Sequence, residues 1–297
     1  MYACAAPDLP YPVGVTLYHL LDHADLDDPL MIVALDAWVD AGSAATAAAR
    51  LLGEDAATIA GIDADGLYDY RSRRPTLHIE DGRLIELDWP ELEVVHRRFT
   101  ERDVLLLSGP EPDYRWHELA SELVMLAQDL GVAEWMTLGA IPAAVPHTRP
   151  VPVLGLESRD GLLRGGIEPG PTGSMRVPAA VVSVIDLAIA EAGIPTLGYF
   201  AQVPHYVSGE YPAAAVALVR AVERHIGDGV TTAALELEAR GISTRLDAAA
   251  SADDSTKSYI TRLEEMVDEA RLPSGDELIG EIERFLRDRG TDSGPIH

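Results

Sequence analysis

Several polar side chains directly follow apolar, strand-like runs of the sequence, which is where α/β proteins place their ligands. Trp38 and Asp40 follow the run at residues 30–35, and Glu111 follows the run at residues 104–108. Either carboxylate can anchor a ligand, but Asp40 can instead cap the free amides of the next helix, and capping is the favoured interpretation for Asp40. All three residues are kept as candidate ligand-binding residues.

Two loops stiffened by proline add imidazole and guanidinium groups to this set. His147 and Arg149 lie within residues 142–150, which contain three prolines, and His205 follows the run at residues 196–202. An imidazole close to a guanidinium suits an anion or a carboxylate partner. The alternative is a loop whose polar groups have only a structural role.

These side chains are expected to meet because parallel neighbouring strands end at the same edge of a sheet, about 4.8 Å apart. We therefore predict that Trp38, Asp40, Glu111, His147 and Arg149 converge on one surface pocket. Two arrangements are open. A direct Glu111 to Arg149 ion pair would indicate a structural site, whereas separate groups facing a cavity would indicate a polar ligand between them.

Sequence signatures of the common catalytic classes are absent from the chain. There is no His-Glu-x-x-His, Cys-x-x-Cys, Gly-x-Ser-x-Gly or strand-following Gly-x-Gly-x-x-Gly motif. Cys4 is the one cysteine and Lys257 the one lysine, which disfavours cysteine metal cages, Schiff bases and a P-loop. Residues 155–173, rich in glycine, are predicted to form a flexible loop, with a lid or phosphate-contacting loop as the alternative. We assign no catalytic residue, predict neither metal nor cofactor, and favour a protein that is not an enzyme.

Composition limits the classes of partner. A hydrophobic content of 47% over 297 residues is enough for a substantial core. The 49 acidic and 23 basic residues give a formal net charge of -26, which repels phosphate backbones and anionic lipids. We therefore predict no nucleic-acid partner and no membrane partner. Because no apolar run reaches the roughly 18 residues of a membrane helix, a cytoplasmic location is expected.

Strand-like runs alternate with helical patterns, which predicts an α/β fold with a mostly parallel sheet covered by helices. We predict strands at residues 30–35, 57–62, 77–80, 83–87, 104–108, 135–140, 151–156 and 196–202. The third and fourth of these form a hairpin across Asp81-Gly82. Helices are predicted at residues 43–52, 115–130, 179–192 and 213–225.

After Gly229 the sequence is acidic and lacks strand-like runs. We predict a core domain at residues 1–229 and a helical extension at residues 230–297, either a partner-binding arm or, as favoured, a solvated helical hairpin packed by one apolar stripe.

The strand-end segments carry a family resemblance. Four of them, in this order, are similar to segments of the proteasome assembly chaperone 2 family, and the sequence resembles its actinobacterial branch: residues 36–42, 109–112, 146–150 and 203–206. The resemblance runs from about residue 30 to about residue 225. It implies a three-layer α/β/α sandwich like that of purine nucleoside phosphorylases, and subunits that self-associate, with trimers in the bacterial branch. It implies no known reaction, because the eukaryotic relatives are non-catalytic chaperones that guide assembly of the proteasome α-ring.

Two hypotheses of function follow. The first is a non-enzymatic binding or assembly protein that forms a homo-oligomer, with a trimer favoured and a proteasome-related protein as partner. The second is an enzyme or sensor that binds a small anionic or nucleoside-like ligand. Some bacterial relatives are labelled ATP-grasp or carboxylate-amine ligases, and the lone Lys257 argues against that label.

Two further segments bear on partners. The basic group Arg71, Arg73 and Arg74 is interpreted as an ion-pairing surface between subunits, with a solvated loop as the alternative. Some archaeal relatives dock on the proteasome through a hydrophobic-tyrosine-any tail. This sequence ends in Pro295-Ile296-His297, so that mode of docking is not expected.

Overall fold

The structure, a computed structural model, describes residues 16–21, 25–36, 38–100, 102–171 and 173–270. Cys4, Pro295-Ile296-His297 and the end of the predicted helical extension lie outside these residues. The strands are β1 Tyr18–Leu20, β2 Leu30–Asp36, β3 Ala57–Ile62, β4 Thr76–Glu80, β5 Arg83–Asp88, β6 Leu92–Arg98, β7 Asp103–Pro110, β8 Glu134–Ala143, β9 Val153–Glu157, β10 Glu168–Pro169 and β11 Thr196–Pro204. The helices are α1 Ala44–Leu52, preceded by a 3₁₀ turn at Ala41–Ser43, α2 Trp116–Asp129, α3 Val181–Glu191, α4 Pro212–Ile226, α5 Ala233–Ser251 and α6 Asp254–Ala270.

Nine strands form one mixed sheet in the order β1-β3-β6-β7-β2-β8-β11-β9-β10. The four central strands, β7, β2, β8 and β11, are parallel to one another. Outside this group, β6 pairs antiparallel with β7 and with β3, and β9 pairs antiparallel with β11. The prediction of a mostly parallel sheet is therefore correct for the centre and wrong for the flanks.

Strand β6 is absent from the predicted elements, although its sequence contains a strand signal. Leu92 and Val94 are buried, whereas Glu93 between them is exposed. This period-2 alternation is typical of a strand with one covered face. The charged residues that alternate with the apolar ones hide the signal if only continuous apolar runs are sought.

Strand β2 separates two hydrophobic cores. Leu30, Ile32 and Ala34 belong to the core beneath α1 and α4, whereas Met31 and Val33 belong to the core beneath α2 and α3. Alternate residues of a strand point to opposite faces, so a strand that is apolar throughout needs helices on both sides. The result is the predicted three-layer α/β/α sandwich.

The end of β7 requires glycine. Gly109 has φ of 142°, and a Cβ at this position would lie 2.1 Å from the carbonyl oxygen of Glu91. Only glycine adopts this backbone conformation without strain and permits such a close approach. The chain thereby leaves β7 beside the start of β6 and delivers Glu111 to the carboxyl edge of the sheet.

After Gly229 the described chain, up to residue 270, forms helices only. Helix α5 has no buried residue, and α6 buries Ile260 and Leu263. The apolar stripe of α6 is what the packed-hairpin interpretation expects. The domain boundary at residue 229 itself stays a prediction.

The basic group before β4 is mostly paired within the chain. Arg71 bonds Asp69, and Arg73 Nη1 lies 3.2 Å from Asp36 Oδ2 at the end of β2. Arg71 and Arg73 therefore have carboxylate partners without a second subunit, so this segment no longer supports the interpretation of an intersubunit surface. Arg74 makes no side-chain hydrogen bond or ion pair with any described residue.

A buried ionic group closes the amino-terminal edge of the sheet. Glu134 Oε2 accepts hydrogen bonds from Arg102 Nη1 at 2.9 Å and lies 3.0 Å from His225 Nε2, and Tyr199 hydroxyl lies 2.9 Å from His225 Nδ1. Burial raises the pKa of Glu134, but the bonds to His225 and Arg102 outweigh it and hold the pKa at about 2. This carboxylate is ionised and satisfied at neutral pH.

A second carboxyl, Asp186 of α3, is held on the other side of the sheet. Its Oδ1 accepts from Trp135 Nε1 at 3.0 Å and from Thr137 Oγ1 at 2.7 Å. Burial raises the pKa of Asp186 to about 7, and these two hydrogen bonds only partly offset the effect. The folded protein therefore keeps a proton on Asp186 under conditions in which the unfolded chain has lost it.

We predict a pH-dependent stability difference for Asp186→Asn. Between about pH 4 and about pH 7 the unfolded chain ionises this carboxyl while the folded chain does not, so its contribution to stability falls as pH rises. The asparagine variant lacks this loss. The free energy of unfolding of the variant minus that of the parent, measured in urea, should therefore be about 1–2 kcal/mol larger at about pH 8 than at about pH 5.5. An equal difference at both pH values would contradict the prediction.

Candidate functional site

Asp40 lies at the carboxyl edge of the sheet and accepts hydrogen bonds from backbone amides of α1. Its Oδ1 accepts hydrogen bonds from the amides of Ala45 at 2.7 Å and Thr46 at 3.3 Å, and the Thr46 hydroxyl donates to Oδ2. A bridge to Ala140 ties the same residue to the end of β8. Burial raises the pKa of this carboxyl, and the three bonds oppose that effect. Asp40 therefore has the capping role that was favoured for it.

Glu111 likewise accepts a hydrogen bond from a backbone amide at the start of α3, on the opposite face of the sheet. Its Oε1 accepts from the amide of Val181, the first residue of α3, at 2.7 Å, and its Oε2 accepts from the amide of Trp38 at 3.3 Å. A carboxylate at this place satisfies an unpaired amide and interacts favourably with the helix dipole. The Trp38 side chain itself is 64% exposed.

His147 points into the helical extension. Its Nε2 lies 3.2 Å from Asp247 Oδ1 of α5, and the Tyr206 hydroxyl lies 2.8 Å from both its backbone nitrogen and its Nδ1. The amide donates to the hydroxyl. Because the Asp247 carboxylate only accepts, Nε2 carries a proton, and in the neutral imidazole Nδ1 then accepts from the Tyr206 hydroxyl. The imidazole is buried at 7% exposure and fully used.

Arg149 fixes the second helix of the extension. Its Nε and Nη2 donate to Asp268 Oδ1 and Oδ2 at 2.9 and 2.7 Å, and its Nη1 donates to Glu264 Oε1 at 3.2 Å. The hydroxyl of Thr148 also donates to Glu264. Two parallel bonds to one carboxylate are the strongest geometry available to arginine, and the pKa of Arg149 is raised by Asp268.

His205 adds a third contact to the extension. Its Nδ1 lies 3.1 Å from the carbonyl oxygen of Ala143, and its Nε2 lies 3.2 Å from the Tyr259 hydroxyl of α6. A carbonyl only accepts, so Nδ1 carries the proton and Nε2 accepts from Tyr259. His147, Arg149 and His205, with Thr148 and Tyr206, form what we call the extension clamp.

The structure thus places the predicted residues in two groups rather than in one pocket. Trp38 and Glu111 meet at the start of α3, whereas His147 and Arg149 meet at the extension. Glu111 and Arg149 do not pair with each other, because each has nearer partners on a different helix. The reason is physical: unpaired amides at the helix starts bond Asp40 and Glu111, whereas carboxylates of the extension bond His147 and Arg149.

A cavity of about 560 Å³ adjoins the extension clamp. Its walls come from the loop before β9, the glycine-rich segment, α4 and α5, and four arginines line it: Arg149, Arg220, Arg224 and Arg240. Val151, Val153 and Ile167 supply an apolar side. This volume lies in the range of small-ligand pockets.

The cavity carries excess positive charge. Arg220 bonds Glu223 and Glu236, whereas Arg224 and Arg240 form no side-chain hydrogen bond or ion pair with carboxylates of the described chain. Glu236 is the one acidic residue among the lining residues, and its pKa is lowered by Thr232 and Arg220. In a chain with net charge -26, such a concentration of guanidinium groups favours an anion.

Sequence reasoning missed the three cavity arginines of α4 and α5. Arg220 and Arg224 are four residues apart on α4, so they share one helix face, and this spacing was visible. Arg240 could be placed beside them only once the position of α5 was known. The glycine-rich segment forms part of the wall: a Cβ at Gly165, where φ is 66°, would lie 2.6 Å from Arg224 Cβ.

Within the described residues no group of three or more histidine, cysteine, aspartate or glutamate side chains is arranged to hold a metal ion. No helix in the described ranges is long and apolar enough to cross a membrane.

Similarity to known proteins extends over most of the chain. No curated protein matches it. Among solved structures, it is 30% identical to a protein of unknown function from Corynebacterium glutamicum, with a TM-score of 0.77 over 86% of this chain and 98% of the other. It is 34% identical to the proteasome-assembly chaperone homologue Rv2125 of Mycobacterium tuberculosis, with a TM-score of 0.70 over 78% and 99%.

A more distant structure shares the fold alone. The archaeal proteasome activator PbaB of Pyrococcus furiosus is 16% identical, with a TM-score of 0.62 over 78% of this chain and 97% of that one. The sequence pattern of the PAC2 family matches residues 34–250, which include every strand-end segment described above and most of α5. The chain belongs to the PAC2 family.

Proposed function

We propose that this protein is a non-enzymatic binding protein of the proteasome-assembly type, that its partner is a proteasome subunit, and that it acts in the cytoplasm. The observation that carries the proposal is that the strand-end side chains bond helices of the same chain. Asp40 and Glu111 cap helices, and the extension clamp holds α5 and α6. These groups build a platform instead of a nucleophile and base facing a cleft.

The relatives support the choice of partner. One structure with 34% identity is a proteasome-assembly chaperone homologue, and it is covered over 99% of its length. Helix α6 carries five carboxylates against two basic residues, so its surface suits a basic partner. Complementary charge of this kind speeds association more than it strengthens it.

The partner prediction is tested with purified proteasome α-subunits from an actinobacterium. We expect the full-length protein to bind them in analytical gel filtration, with association slowed by salt because exposed charges are screened. A chain that binds no α-subunit at low salt would contradict the proposal, as would turnover of a substrate by the purified protein.

The extension clamp gives a second prediction. Arg149→Met keeps the apolar stem but removes the charge-assisted bonds to Asp268 and Glu264 that hold α6. Hydrogen exchange of the α6 amides should accelerate roughly fivefold, while protection of the central strands stays unchanged.

Arg245→Met is the matched control for the clamp. Arg245 lies exposed on α5 and makes no side-chain hydrogen bond or ion pair within the described residues. Its replacement should leave exchange of α6 as in the parent. Equal hydrogen exchange of the α6 amides in the Arg149 and Arg245 variants would show that Arg149 does not hold α6.

The arginine-lined cavity favours a second candidate function, the binding of a small anion by an enzyme or sensor. The pairing of Arg220 with Glu236 orders one wall, and Arg224 and Arg240 remain available to a carboxylate or phosphate. The apolar side formed by Val151, Val153 and Ile167 suits the body of such a ligand.

Anion binding is tested by thermal shift with citrate, inorganic phosphate and adenosine monophosphate at constant ionic strength. We expect at least one of them to raise the Tm by a few degrees, because a ligand bound only by the folded state stabilises it. Arg224→Gln should abolish the shift, and Arg245→Gln should leave it intact. A Tm that stays constant with all three probes would exclude this second function.

Self-association completes the proposed function. We propose a homo-oligomer, with three subunits as the stoichiometry that the family likeness implies. Light scattering of the full-length protein at micromolar concentration should give a mass above the 31.9 kDa of one chain.

A further inference from the structure

A second cavity lies at the amino-terminal edge of the sheet, and we call it the amino-edge cavity. Its volume is about 370 Å³, and its walls come from the segments before β7 and β11, the start of β8, the end of α4 and the loop after β9. This volume lies at the lower end of the range for small-ligand pockets. Its wall includes two side chains of the buried ionic group, Glu134 and Arg102.

Glu134 uses only one of its two oxygens for hydrogen bonds. Its Oε2 accepts from Arg102 Nη1 at 2.9 Å and from His225 Nε2 at 3.0 Å. Its Oε1 accepts no hydrogen bond from a described residue, and the Arg164 Nη2 that pairs with it lies 3.8 Å away, too far for one. The neighbouring cations therefore compensate the charge of Glu134 but leave Oε1 without a donor.

The free oxygen of Glu134 faces the amino-edge cavity. Among the described residues, no side-chain nitrogen or oxygen that is shut off from solvent lacks a hydrogen-bond partner. Oε1 lacks one although the residue is only 5% exposed, so this oxygen is open to the cavity that Glu134 lines. The pKa of about 2 keeps the carboxylate ionised at neutral pH. A molecule that donates a hydrogen bond, above all a cationic one, is favoured at this point.

Guanidinium groups in the same wall favour the opposite charge. Arg159 is exposed and makes no side-chain hydrogen bond or ion pair with any described residue. Arg164 donates from Nη1 to the carbonyl oxygen of His225 at 3.5 Å and has no hydrogen bond to a carboxylate of the described chain. Three arginines and two carboxylates line the cavity, so one positive charge is in excess. Guanidinium groups bind carboxylates through paired hydrogen bonds, which makes these arginines suitable for a carboxylate ligand.

The amino-edge cavity thus presents an anionic acceptor, a pair of guanidinium groups and an apolar wall formed by Leu162, Pro195 and Ile226. We propose that it binds a free α-amino acid with an aliphatic side chain, whose ammonium group donates to Glu134 Oε1 and whose carboxylate is held by Arg159 and Arg164. A simple anion is repelled by Glu134 and a simple amine by the arginines, so only a molecule with both charges satisfies both ends. This site is separate from the arginine-lined cavity at the extension clamp and goes beyond the proposed function.

The first test uses L-leucine and two analogues in isothermal titration of the full-length protein. 4-Methylpentanoate lacks the amine of leucine, and 3-methylbutylamine lacks its carboxylate. We expect leucine to bind on the order of tenfold more tightly than either analogue, because each analogue loses one charge-assisted contact. Equal affinity for leucine and one analogue overturns the contact that this analogue lacks. The absence of leucine binding at millimolar concentration overturns the whole proposal.

A pair of arginine variants locates the carboxylate of leucine. Arg159→Gln should weaken leucine binding on the order of tenfold, and it disturbs no contact within the described chain. Arg245→Gln is the matched control, since Arg245 is exposed, unpaired within the described residues and outside both cavities. Equal affinity in these two variants overturns the role of Arg159. Binding that is lost in Arg240→Gln and kept in Arg159→Gln places leucine in the arginine-lined cavity and overturns the site.

Glu134→Gln tests the ammonium end directly. The substitution keeps the shape of the side chain and removes its charge, so leucine binding should weaken on the order of tenfold. Arg102 and His225 lose an ionic partner in this variant, and if it does not fold, 4-methylpentanoate tests the same contact in the parent protein. Unchanged leucine binding by a folded Glu134→Gln variant overturns the assignment of the ammonium group. All of these outcomes are independent of binding to proteasome α-subunits, so failure here leaves the proposed function standing.

Discussion

Strand β2 has no face turned to solvent, and the rest of the molecule is arranged around that fact. Leu30 through Val33 are fully buried, and their side chains alternate between the two cores. A strand in this position must be covered by helices on both sides, and the helices must cross over the sheet to return the chain to its parallel neighbours. The carboxyl ends of β7, β2, β8 and β11 consequently lie together at one edge.

The carboxyl edge of the sheet contains helix-end amides that lack hydrogen-bond partners, and polar side chains supply those partners. Helices α1 and α3 begin near it with amide groups that have no partner inside the helix, and buried amides need an acceptor. Asp40 and Glu111 supply those acceptors from the loops that leave β2 and β7. Two carboxylates that resemble ligand anchors in the sequence are therefore committed to the backbone before any ligand arrives.

The sequence is sufficient to predict the parallel centre, the helices and the Asp81-Gly82 hairpin, because each has a local signal in periodicity or turn chemistry. It is also sufficient for the capping role of Asp40. The partners of Arg149 are not predictable in this way, since Asp268 lies 119 residues further along the chain. The bulge at Ile85 is equally hidden, because a continuous Leu-Ile-Glu-Leu run does not reveal which residue the opposite strand skips.

Arg149 joins two properties of the molecule in a single guanidinium group. It lines the arginine-rich cavity, and it holds α6 through Asp268 and Glu264. An anion that draws Arg149 into the cavity competes with those two carboxylates, whereas an anion held by Arg224 and Arg240 alone does not. Only the first mode gives a ligand different affinities for the docked and released states of α6, and a ligand shifts an equilibrium only through such a difference. Whether the extension responds to a ligand therefore depends on how far Arg149 takes part in binding it.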